Sequence, residues 1–161
     1  FERAVLAYRD AAGERQEVQL GAYQTDFVTE GKETFQVVYV GKGGEKDYAD
    51  KDVAGKIVLA EINQRDEWWI NFPVYQAHEK GAKALIAVQV GGYGQVDEKA
   101  LNAQDIAGPP EASAFSMSFE DSEKLKACLD EKGEITVTLD ASSRVMRDVS
   151  TYNILHISAC G

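Results

Sequence analysis

The sequence predicts a mixed, β-rich α/β domain, and three observations carry that reading. Short apolar runs rich in Val, Tyr and Phe fill residues 4–40; two compact aliphatic runs at 56–62 and 84–90 flank a helical pattern; and a capped helix precedes an alternating run at 135–139. At 161 residues the chain can bury roughly two thirds of its unfolded surface in one core, but it is too short for two full-sized domains. Hydrophobic residues at 44% and charged residues at 27% match ordinary globular composition, which argues against disorder or a fibre.

The first run, from Val5 to Tyr8, is followed by Asp10-Ala11-Ala12-Gly13-Glu14, a turn that would close a hairpin onto residues 16–20. Thr29-Glu30-Gly31-Lys32 breaks the next pair, and antiparallel strands are expected throughout this region. Val40-Gly41-Lys42-Gly43-Gly44 is glycine-rich. A phosphate cradle needs a Lys-Ser/Thr pair opening a helix, whereas Glu45, Asp47 and Asp50 follow here and would repel a phosphate, so a plain loop is expected.

The run at 56–62 has an uninterrupted apolar centre, which predicts burial on both faces. Pro73 suits a first helical turn, Ile70, Val74 and Ala77 share one side, and Gly81 supplies a left-handed stop, giving a helix from about Phe72 to Lys80. The next run, 84–90, would then pair parallel to 56–62 through a right-handed crossover, a βαβ unit. Gly91-Gly92-Tyr93-Gly94 ends it, and an extended surface connection to Pro110 is expected.

Residues 114–117 form a third short strand, and Ser118 caps a helix with Asp121 in the position of a capping-box acid. Phe119, Leu125, Cys128 and Leu129 make its apolar side, Glu120, Glu123, Lys124 and Lys126 are assigned to water, and Gly133 ends it. Residues 135–139 alternate as a half-buried strand; a polar segment at 141–148 then leads to a last strand at 152–157.

A net charge of −10 opposes binding to nucleic acid, which needs a basic stripe, and to an anionic membrane. No apolar run approaches the roughly 20 residues that cross a bilayer. The chain opens on Phe1 with no basic segment and apolar core resembling a signal peptide, which reads as a piece of a longer protein. Two cysteines, Cys128 and Cys160, cannot build a metal cage alone, and Cys128 is expected to be a small buried hydrophobe.

Catalytic chemistry is poorly supplied. Only His78 and His156 could serve as bases, no Gly-x-Ser-x-Gly elbow occurs, and neither His sits in a cluster of zinc ligands. Asp97, Glu98, Asp105 and Glu111 form an acidic loop without the spacing or central Gly of a calcium loop, so they are read as solvated charge. No catalytic residue and no metal ligand is assigned.

The order Asp52-Val53-Ala54-Gly55-Lys56-Ile57-Val58-Leu59, then Ala77-His78-Glu79-Lys80-Gly81-Ala82-Lys83-Ala84-Leu85-Ile86, resembles the core of a protease-associated domain. Residues 112–125 and 134–139 resemble that family's later strand, helix and closing strand. The resemblance spans about residues 50–140 and implies a β-sandwich or open barrel with flanking helices, of the type inserted in secreted di-zinc aminopeptidases. Ser150-Thr151-Tyr152-Asn153-Ile154-Leu155-His156-Ile157 resembles the strand on which the peptidase domain resumes. Residues 1–149 are therefore assigned to the protease-associated-like domain, and 150–161 to the start of the peptidase domain.

On this resemblance the chain would be a non-catalytic accessory domain that shapes substrate access. Its partners would be the peptidase domain of the same chain and a peptide or protein substrate. Zinc would belong to the peptidase domain only, no cofactor to this part, and the location would be periplasmic or extracellular. Where many members carry a short Gly- and Cys-containing turn, this chain has Asn63-Gln64-Arg65-Asp66-Glu67-Trp68-Trp69. Aromatic side chains with polar edges are enriched at recognition surfaces, so Trp68, Trp69 and Tyr93 are the candidate substrate- or partner-binding residues. Two other functions remain open: an independent protein-interaction module, and a small-molecule-binding α/β domain suggested by the βαβ unit and its glycine loops.

Overall fold

The computed structural model describes residues 1–23, 25–91, 97–102, 111–146 and 150. Nine strands form one mixed sheet curled into a nearly closed barrel, with two α-helices among the described residues. The β-rich α/β prediction with two flanking helices is met.

The first hairpin forms as its turn chemistry dictates. Strand β1 (Arg3–Arg9) pairs antiparallel with β2 (Arg15–Gln19), from Val5↔Gln19 to Arg9↔Arg15. Asp10 Oδ1 accepts from the backbone N–H groups of Ala12 and Glu14, and Gly13 takes a φ of +82° that an L side chain rarely adopts. After β2 the chain turns a corner at Leu20 and continues as β3 (Gly21–Tyr23), which pairs with β8 (Ala114–Met117) at the other end of the sheet. One bent stretch thus reaches both ends of the strand order and draws the sheet into a barrel. Gly21 permits this, because a Cβ there would lie 2.3 Å from Ser116 Oγ.

The next two runs are not hairpin partners of each other. Strands β4 (Phe27–Val28) and β5 (Glu33–Tyr39) both pair antiparallel with β9 (Glu134–Ser143). Strand β9 is also longer than the run at 135–139. Its alternation continues with Ala141 and Ser143 turned inward, so the first residues of the expected polar segment are strand. The reason lies across the chain: β1 and β4 supply partners for 138–143 that no local pattern reveals.

The βαβ unit is as predicted. Strands β6 (Ile57–Ile62) and β7 (Ala84–Gln89) run parallel in register Ile57↔Ala84 and are joined through helix α1 (Asn71–Glu79). Alternate residues enter two cores. Ile57, Leu59, Ile86 and Val88 face the core shared with Leu125, Cys128 and Leu129 of helix α2 (Phe119–Lys132). Val58, Ala60, Ile62, Leu85 and Ala87 face Ile70, Val74 and Ala77.

Ser118 caps α2, its hydroxyl accepting from Asp121 N at 3.2 Å and donating to Asp121 Oδ2 at 2.7 Å. Ser118→Ala is expected to cost about 1 kcal/mol in chemical denaturation, and a loss below about 0.3 kcal/mol would contradict the cap. Lys126 departs from its assignment to water. Its ammonium reaches Glu61 Oε1 at 2.7 Å and lies 5.6 Å from the centre of the Tyr39 ring, while Tyr39 donates to Glu61 Oε2 at 2.5 Å. The aliphatic stem of a lysine can lie along an apolar surface and carry its charge to a distant carboxylate, which helical spacing does not reveal.

Candidate functional site

The candidate site is built where the segment after β6 meets the glycine loop and the first turn of α1. Trp68 is half-buried. Its indole N–H donates to the Lys42 carbonyl at 3.2 Å, its ring lies 5.0 Å from the Phe72 ring, and its Cη2 is 3.0 Å from where a Cβ of Gly44 would stand. Lys42 is ion-paired with Glu67, whose carboxylate holds the ammonium above its usual pKa, so the loop is fastened on both sides of Trp68. Two buried contacts hold the inner side of this segment: Gln64 accepts from Ile70 N at 3.2 Å, and Pro73 packs beside Gly43. The glycines of the loop therefore serve close approach of chain to chain, as a plain loop would use them.

Trp69 points the other way and is 58% exposed. Phe72 N donates to Trp69 O at 3.1 Å, so Trp69 sits at the head of α1 with Phe72 and Tyr75 following at intervals of three residues. Phe72 is 40% exposed and Tyr75 44%. With Ile70, Val74 and Ala77 buried on the inner side, these three exposed aromatics, one just ahead of the helix and two on it, form an outward strip. They can offer flat apolar area at low entropic cost, which suits contact with a peptide or another domain.

Of the sequence candidates, Trp68 and Trp69 are adjacent but differently engaged, and Tyr93 lies outside the described residues. Phe72 and Tyr75 were not singled out from the sequence. A signal existed: both lie three residues apart on the side of the helical pattern opposite Val74 and Ala77. His78 is half-buried near the end of α1, and His156 and Cys160 lie outside the described residues. Cys128 is free and buried. Asp97, Glu98 and Glu111 are exposed, with Asp97 Oδ1 accepting from Lys99 N at 2.8 Å, and Asp105 lies outside the described residues. Among the described residues no group of three or more His, Cys, Asp or Glu is arranged to hold a metal ion. No helix there is long and apolar enough to cross a membrane.

Comparison of the fold with solved structures finds the aminopeptidase from Aneurinibacillus sp. strain AM-1 at a TM-score of 0.64 and 23% identity, over 86% of this chain and 30% of that one. A zinc aminopeptidase from Bacillus subtilis matches at 0.58 and 22%, over 85% and 29%. The chain shares its fold with one part of zinc aminopeptidases. A peptidase M28 precursor from Shewanella amazonensis SB2B matches at 0.56 and 16% identity, over 85% of this chain and 33% of that one. This chain thus spans about a third of the length of the proteins it resembles. No protein-family description matches the sequence. No curated protein matches it either.

Proposed function

We propose that this chain is a non-catalytic accessory domain of a zinc aminopeptidase, of the protease-associated type, and that its exposed aromatic strip contributes to substrate access or selection. The observation that carries this reading is that 86% of the chain corresponds to only 30% of an aminopeptidase, the proportion expected of one domain within a larger enzyme. The geometry supports insertion. Strands β1 and β9 lie side by side from Arg3↔Ser142, with Glu2 N donating to Ser142 O at 2.9 Å, so the first and last strands of the described fold begin and end at one place.

On this reading zinc belongs to the parent's peptidase domain, the partners are that domain and its peptide substrate, and the protein works in the periplasm or outside the cell. Trp69, Phe72 and Tyr75 supply contact area, Trp68 fixes the segment that presents them, and Tyr93 is retained from the sequence as a further aromatic contact. The paired replacement Trp69→Ala with Phe72→Ala in the parent enzyme should raise KM for extended peptides by about tenfold with kcat little changed. Both side chains are exposed, so thermal stability should fall little, by the loss of the Phe72 contact with the Trp68 ring. An unchanged KM and unchanged cleavage preference would remove the role assigned to the strip. A parent protein without a peptidase domain would remove the accessory reading itself and favour an independent interaction module.

A further inference from the structure

A second site lies on the opposite flank of the barrel, where two strands part. Strand β1 pairs with β9 only from Arg3↔Ser142 to Ala7↔Thr138. Beyond that point β1 continues through Tyr8 and Arg9 with β2, while β9 residues 134–137 bond β5 on one side. On the other side no strand meets them among the described residues. In an antiparallel strand alternate residues turn their N–H and C=O groups to opposite sides, so this stretch presents unpaired backbone groups toward the gap.

The gap is a cleft of about 570 Å³ lined by Tyr8, Arg9, Arg15, Lys132, Thr136 and Val137, among others. That is within the size range of small-ligand sites. Its charge is opposite to that of the protein. Three cations, Arg9, Arg15 and Lys132, meet one lining carboxylate, Glu134, in a chain with 17 basic and 27 acidic residues. Glu134 is bound to Lys56 at 2.7 Å, and Arg15 is itself paired with nearby Glu17. Among the described residues Arg9, which donates to the Gly13 carbonyl at 2.9 Å, and Lys132 are therefore the lining cations without a carboxylate partner. Asp10, at the hairpin turn, accepts from the neutral amide of Gln16 at 2.7 Å and keeps its negative charge.

The Tyr8 hydroxyl does not serve the cleft: the side chain lies in the core with Leu125, Cys128 and Leu129. Tyr8 is 4% exposed and its hydroxyl oxygen is buried with no hydrogen-bond partner, a state that ordinarily costs stability. Burial pushes the phenol pKa well up, so the hydroxyl keeps its proton. The unpaired strand edge and the local positive charge share one ligand chemistry.

We propose that this seam binds an extended peptide segment ending in, or bearing, a carboxylate. The peptide backbone pairs with the open edge of β9, and the carboxylate is held by Arg9 and Lys132, with Arg15 beside them. The occupant is a peptide rather than a small anion because the edge offers backbone pairing, and an acidic one because the lining is cationic.

The test is NMR titration of the isotopically labelled chain with a short acetylated peptide of alternating Thr and Val ending in Glu with a free carboxylate. The expected result is saturable shifts at residues 8–15 and 132–138. Affinity should fall at least about tenfold when Lys-amide replaces the terminal Glu, when alternate peptide nitrogens are methylated, and in the surface variant Arg15→Glu with Lys132→Glu. Absence of shifts at millimolar peptide, equal binding of the methylated or Lys peptide, self-association through this edge, or shifts gathered at Trp69 and Tyr75 would each overturn it. Because the chain is tested alone, the result does not depend on the parent enzyme or on the aromatic strip.

Discussion

Phe115→Ala should destabilise the domain by about 4 kcal/mol and lower its Tm by roughly 10 °C. Phe115 has no exposed surface and sits in β8 between Ala22 of β3 and Ile86 of β7. Its ring meets Phe27 edge-on at 5.5 Å and 80°. Removing it forfeits the transfer energy of a large ring and the aromatic contact, and it leaves a cavity that the sheet on either side cannot close without shifting register. Phe115→Leu fills most of that space and should cost only about 1.5 kcal/mol. Urea denaturation of both variants measures the difference. If Phe115→Ala lost less than about 2 kcal/mol, β8 could not be the closely packed strand described here.

At Gly43 the expected loss is about 3 kcal/mol on replacement by Ala, from two causes that add. The residue has a φ of +72°, where an L side chain is strained. An added Cβ would also lie 2.8 Å from Pro73 Cβ and 3.3 Å from Ala60 Cβ. Neither neighbour can yield easily, since Pro73 is a rigid ring in the first turn of α1 and Ala60 is in the middle of β6. Gly55 provides the control. Its φ is +70°, but nothing lies within 4 Å of its Cβ position, so Gly55→Ala should cost only the strain, about 1 kcal/mol. Because Pro73 adjoins Phe72, Gly43→Ala should also change tryptophan fluorescence at Trp68 and Trp69, whereas Gly55→Ala should not. Equal losses at the two glycines would show that the loop does not touch the helix.

Elements whose causes are close in sequence were legible. Asp10 and Gly13 state a turn, Ser118 and Gly133 bound a helix, and the aliphatic runs around Pro73 and Gly81 describe a crossover. Partners far apart in sequence were not. Nothing near Phe27 or Phe35 indicates that both strands pair with β9, and nothing near Ala141 indicates that β1 extends the strand past Leu139. The glycine loop shows the same division. Its failure to resemble a phosphate cradle could be read directly, but the reason for Gly43, a helix lying against it, could not.

The candidate site divides likewise. The tryptophans stood out as residue types, yet only their surroundings distinguish Trp68, tied to Lys42 and Gly44, from Trp69, left facing solvent. By itself the sequence determined the class of fold, the βαβ unit, the helix ends and the acidic surface, because propensity, period and charge are local or summed properties. Tertiary structure decided the strand order, the corner at Gly21, the aromatic strip and the open seam beside β9. Each of these arises from which distant segment covers a given face, a choice set by the fit of the whole core rather than by any short stretch of chain.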